Sequence, residues 1–158
     1  MLKTFTVVAF ALTSCAAFAQ NIASCGPSSG YALYHYSKIV QKKDSGFDKD
    51  KISSGMTTLQ RNSSGEFDIQ MVDSRKRIIS LVQDGGKVIL LRSGETDATF
   101  MHFFPGMVVE LYTFWKASDG KYHYDLIQSK GGDAMPIHKS AVLTGDCDAI
   151  DFSLISSK

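Results

Sequence analysis

The sequence predicts an all-β domain: an antiparallel meander of seven or eight strands curled into a barrel or half-barrel. Three observations predict it. Short runs rich in Val, Ile, Tyr, Phe, Thr and Trp recur along the chain, the composition that suits a pleated, half-buried surface. Gly-, Asn-, Asp- or Pro-containing turns separate them, as at Asn62-Ser63-Ser64-Gly65, Pro105-Gly106 and Ala117-Ser118-Asp119-Gly120, where Pro presets φ and Gly accepts φ > 0. No apolar pattern of helical period persists beyond about two turns. Consecutive hairpins hide their edges best by curling into a barrel. A Greek-key β-sandwich is the competing architecture.

The first residues read as an export signal. Lys3 is the positive n-region and Thr4 to Leu12 an apolar run too short to span a membrane. Ala17-Phe18-Ala19 is the small-x-small pattern of a signal-peptidase site. A cut before Gln20 leaves a single β domain over 20–158 that is periplasmic or secreted. The alternative is a lipoprotein anchored through Cys15, because Leu12-Thr13-Ser14-Cys15 resembles a lipobox. Against it, Ala16 to Ala19 stays apolar where a polar tether is expected. Cys25 and Cys147 remain, an even count that implies a disulfide in an oxidising compartment. Such a bridge closes almost the whole domain, worth about 4–5 kcal/mol in the chain-entropy account.

With Lys3 removed, the basic residues equal the 16 acidic ones. Nucleic-acid binding needs a net basic footprint, so it is excluded as a function class. No second apolar run is long enough for a transmembrane helix.

In chain order, Gln20 to Ser29 reads as a polar surface lead-in pinned by Cys25. Gly30 to Val40 is an aromatic strand or arm covered on both sides. Gln41 to Gly55 is a charged loop with room for one helical turn. Strands follow at 56–61 and 66–73, the second with Phe67, Ile69 and Met71 alternating with Asp68 and Gln70. Strand 77–83 is joined to 87–92 through a tight turn at Asp84-Gly85-Gly86. The run 87–92 is apolar enough to be covered on both faces. The central strands are 98–104, 107–116 and 121–130, and the last is 137–143. In the tail, Phe152, Leu154 and Ile155 are placed to cover one opening of the sheet.

The segment Ser24-Cys25-Gly26-Pro27-Ser28-Ser29-Gly30-Tyr31-Ala32 resembles the mature start of small exported bacterial proteins of unassigned function. Asp84-Gly85-Gly86-Lys87, Tyr112-Thr113-Phe114-Trp115 and Ser129-Lys130-Gly131-Gly132-Asp133 are similar to them too. The resemblance covers nearly all of 20–158 and implies a shared fold and export. It implies no activity.

Candidate chemistry rests on the hairpin around 117–120. A four-residue loop pairs Trp115 with Tyr122, Thr113 with Tyr124 and Leu111 with Leu126 on a core face. The other face then carries Glu110, Tyr112, His123 and Asp125. A His beside carboxylates and a Tyr suits general acid–base work or a polar ligand. The simpler reading is a wet outer face of an antiparallel sheet. His102 reads as a satisfied core histidine, His35 as stacking between two tyrosines, and His138 as a weak candidate. The histidines lack metal-ligand spacing, so neither metal nor cofactor is expected. No GxSxG, phosphate-binding or dinucleotide motif is present. Two functions follow. One is a non-catalytic exported domain binding a small molecule or an envelope component. The other is a small periplasmic hydrolase or isomerase using His123 with Asp125 or Glu110.

Overall fold

The structure, a computed structural model, describes residues 19–52, 55–72 and 75–155. The apolar export run and Cys15 lie outside them. Ten strands form one antiparallel sheet: β1 Gln20–Tyr34, β2 Gly46–Ile52, β3 Thr57–Arg61, β4 Phe67–Val72, β5 Ile78–Ser80, β6 Lys87–Ser93, β7 Asp97–Phe104, β8 Val108–Lys116, β9 Tyr122–Lys130 and β10 Lys139–Ile150. Nine run in the order β5-β4-β3-β1-β10-β9-β8-β7-β6, curled into a half-barrel, and β2 also pairs with β1. The expected meander is therefore present, with more strands than expected.

The additional strands come from the two stretches read as polar. Gln20–Ser29 is no surface lead-in: it is the first part of β1, and Ile22 and Ala23 are buried. The charged stretch before Gly55 holds a 3-10 turn at Lys42–Asp44 and then β2. β2 pairs with Ser28–Tyr34, and β3 continues along the same edge of β1 at Gln20–Cys25. Alternating Lys and Asp on an open edge strand deters pairing with another chain, so the charge hides a strand from periodicity. The aromatic segment after Gly30 is covered on one face only: Ala32 is buried and Tyr31 is 60% exposed.

β10 pairs with the other edge of β1. Cys25 faces Cys147 in that ladder and the two form a disulfide, with Cα atoms 3.8 Å apart and a sequence separation of 122. The expected strand 77–83 shortens to β5, and Asp84-Gly85-Gly86 does not pair β5 with β6. Instead Leu81–Gly86 coils, with Gly86 N–H donating to the Leu81 carbonyl at 2.9 Å. Val82 N–H donates to the buried Asp68 carboxylate at 3.2 Å. β5 and β6 are thus the two ends of the sheet, and the seam between them is where the barrel stays open. For the same reason β6 is not covered on both faces: Ile89 and Leu91 are exposed.

The core lies inside the curl. Phe67 meets Phe100 edge-on at 4.9 Å, Phe100 meets Phe114 at 6.0 Å, and Phe114 stacks on Tyr124 at 6.1 Å. Ile155 is fully buried after a 3-10 turn at Phe152–Leu154, so the tail does pack against the core.

Candidate functional site

The β8–β9 turn decides which side chains enter the barrel. Ala117 N–H donates to the Lys121 carbonyl at 2.8 Å and Gly120 N–H to the Ala117 carbonyl at 2.9 Å. Gly120 has φ +87°. This is a three-residue loop, a turn followed by a left-handed glycine. It shifts the pairing by one residue from the expected register. Trp115 opposes His123, Phe114 opposes Tyr124, Tyr112 opposes Leu126 and Glu110 opposes Gln128. A one-residue slip exchanges a strand's faces. Trp115 is consequently half-buried on the outside, while Phe114, Tyr112 and Glu110 are buried inside. The expected grouping is divided: Glu110 and Tyr112 face the interior, His123 and Asp125 the exterior.

Inside, a polar row crosses three strands. His102 on β7 pairs with Glu110 on β8, which pairs with Gln128 on β9. All three are buried. One Glu110 oxygen accepts from His102 Nδ1 at 2.8 Å and from the Tyr112 hydroxyl at 2.9 Å, and the other accepts from Gln128 Nε2. A carboxylate only accepts, so the proton shared with His102 sits on Nδ1. His102 Nε2 and Gln128 Oε1 have no hydrogen-bond partner among the described residues. His102 packs against Gly86, where an added Cβ would come 2.3 Å from Nε2. No side chain but hydrogen fits there.

Burial pushes the Glu110 carboxyl up, but the hydrogen bond from His102, the charge of Lys130 and the bond from Gln128 outweigh it. The carboxyl is held below the ordinary range. Tyr112 is raised well above its ordinary value by burial and by the adjacent Glu110 charge. Lys130, on the inner face one step beyond Gln128, is lowered by burial, partly offset by Glu110. Its cross-strand neighbour Lys139 pairs with Asp50 at 2.5 Å. Lys130 has no such partner among the described residues.

A cavity of about 330 Å³ opens beside this row. Met71, Ile79 and Leu81 from the β4–β5 side, with Phe104, Met107, Val108 and Met135, form its apolar wall; His102, Glu110, Lys130 and the exposed Asp84 supply its polar groups. Its volume falls in the range of small-molecule sites, which combine apolar walls with a few convergent polar groups. A larger recess at Ser29–Tyr31 and Lys49–Lys51 is lined mainly by exposed side chains.

Outside, His123 Nδ1 lies 2.9 Å from Asp146 on β10, and its ring sits 4.7 Å from Trp115. Its carboxylate partner is therefore Asp146. Asp125 stands opposite Thr113 and Thr144 instead. His138 Nε2 lies 3.1 Å from the Gly132 carbonyl, spanning the 131–138 loop, and His35 is exposed. Among the described residues no three His, Cys, Asp or Glu side chains converge as a metal requires, and no helix is long and apolar enough to cross a membrane.

Comparison with protein-family models, with curated proteins and with solved structures gives no match. The site therefore stands on its own geometry. Sequence reasoning reached Glu110 and Tyr112 but missed Gln128 and Lys130 and passed over His102 as core. The signal was present in the alternation of β9: Tyr124, Leu126, Gln128 and Lys130 share one face, so assigning Tyr124 and Leu126 to the core brings Gln128 and Lys130 inside with them.

Proposed function

We propose that this is an exported, non-catalytic β domain that holds a small molecule inside the mouth of its half-barrel. The observation that carries this reading is the cavity whose lining combines three methionines with Lys130 and the His102–Glu110 pair. Methionine side chains adapt their shape to varied apolar ligands. Export is supported by the Cys25–Cys147 disulfide, which persists in oxidising compartments, and by the signal-like residues before Gln20.

A second reading has its own observation. On the outside, Tyr31, Val142, Ile127, Leu111, Met101 and Ile89 are successive cross-strand partners on six strands. Tyr31, Val142 and Ile127 are each more than half exposed. Such a belt suits an envelope protein as partner. Of the enzyme reading, the pairing of His123 with Glu110 is lost, because the two lie on opposite sides of the sheet, while His123 and Asp125 share the outer face and the His123 ring bonds Asp146.

Titration with the fluorescent apolar probe anilinonaphthalene sulfonate separates the two. In the cavity reading, Met107→Trp, which fills the pocket, abolishes probe binding and Ile127→Asp leaves it unchanged. Binding that survives Met107→Trp and disappears in Ile127→Asp would move the functional surface to the outer belt.

A further inference from the structure

Resting on the cavity reading, we propose that the ligand is an amphipathic anion, of which a free alkyl carboxylate is the simplest. Its head would contact the Lys130 ammonium and its alkyl chain would lie along Met71, Ile79, Leu81 and Met107.

Glu110 lacks nothing. Its two oxygens accept from His102, Tyr112 and Gln128, so little capacity remains for a ligand cation. His102 is committed at Nδ1, and its unpartnered Nε2 is packed against Gly86, which leaves no room there for a ligand atom. Asp84 is exposed to water, where its charge is screened. Lys130 differs from all three. It is drawn into the barrel beside Glu110, its neighbour Lys139 is satisfied by Asp50, and its own ammonium has no ion-pair partner among the described residues. A partly desolvated ammonium gains most from an anion brought to it.

The number of donors narrows the class. One ammonium is a compact point charge, without the planar fork that Arg offers to phosphate. Among the described residues no Arg lines this cavity. A singly charged head is matched by Lys130 alone, whereas a doubly charged phosphate would leave acceptors unpaired near Glu110. The remaining wall is apolar and its three methionines tolerate chains of different length. The ligand class is therefore a single negative charge on an alkyl tail.

The test compares three probes of equal chain length by calorimetric titration: decanoate, decyl alcohol and decylamine. The wild-type protein is expected to prefer decanoate. Lys130→Met should weaken decanoate by about tenfold or more, the effect of losing one charge-assisted bond, and leave decyl alcohol within about twofold, because the apolar transfer term is retained. Lys130→Arg, which keeps the charge, should retain the preference and guards against a folding failure of the methionine variant. Equal or tighter binding of decyl alcohol or decylamine to the wild type overturns the anion assignment while leaving the cavity reading intact. No binding of any of the three overturns the cavity reading itself.

Discussion

The protein contains two histidine–carboxylate pairs of nearly the same length in different surroundings. His102 lies 2.8 Å from Glu110, with side-chain exposures of 5% and 3%; His123 lies 2.9 Å from Asp146, with 22% and 91%. Distance does not separate them, but surroundings do. Glu110 is a buried hub for three donors. Asp146 is a surface carboxylate whose alternative partner is solvent. Removing one member of a buried pair strands the other and its donors, whereas an exposed pair contributes little. The first pair should therefore be essential to the interior and the second dispensable.

The largest contrast is expected between Glu110→Ala and Asp146→Ala. The first should cost about 3–5 kcal/mol, because the buried groups hydrogen-bonded to Glu110 lose their acceptor. The second should cost under about 1 kcal/mol. Urea unfolding of both variants measures the difference, and equal losses would erase the distinction between the two pairs.

Next comes the face assignment beneath that contrast. Phe114→Ala should cost about 3–5 kcal/mol through lost burial and the cavity left behind. Trp115→Ala should cost about 1–2 kcal/mol, since its ring is half-buried on the outside against His123. A larger loss for Trp115→Ala would restore the register in which Trp115 is core. His123→Ala, at under about 1 kcal/mol, is the smaller companion measurement.

Acid should sharpen the comparison further. The folded-state pKa of Glu110 lies below its ordinary value near 4.5. Its contribution is therefore fully present above that value and is lost as pH falls through the lower, folded-state one. Stability followed by denaturant midpoint should decline on acidification below the ordinary value, and Glu110→Gln should decline less steeply. Asp50, lowered through its bond and charge interaction with Lys139 despite burial, acts in the same direction, so the comparison is made in an Asp50→Asn background. An unchanged slope on removing Glu110 would place the acid sensitivity elsewhere.

A further contrast lies between two glycines, Gly86 and Gly131. A Cβ there meets His102 Nε2 at 2.3 Å and the Leu81 carbonyl at 2.8 Å. Gly86→Ala should cost about 1–3 kcal/mol by overpacking. The equivalent change at half-buried Gly131, where a Cβ meets nothing within 4 Å, should cost much less.

The fold was largely legible because turn chemistry and β composition agree along most of the chain. β9 was read on its correct faces from alternation alone. β8 was not, and the reason is one residue in a turn: whether Ala117 belongs to the loop or to the ladder. Gly120 in the left-handed region closes a three-residue loop and places Ala117 in the ladder, a choice that residue type alone leaves open. β2 was hidden by its charge, and the seam by an Asp-Gly-Gly sequence that ordinarily closes a hairpin. His102 was the hardest to assign. A lone histidine between Met101 and Phe103 carries no signal in sequence, because its partner Glu110 is fixed only by the β7–β8 register.

Uptake of a ligand in the space beside Glu110 and Lys130 is the central claim. The methionine methyls report this directly, since Met71, Met107 and Met135 line the cavity, while Met101 is on the outer face and Met56 is half exposed away from it. In isotope-labelled protein titrated with decanoate, resonances of Met71, Met107 and Met135 should shift together and saturate, with Met101 and Met56 unmoved. Saturable shifts confined to Met101, with the cavity methyls silent, would contradict it.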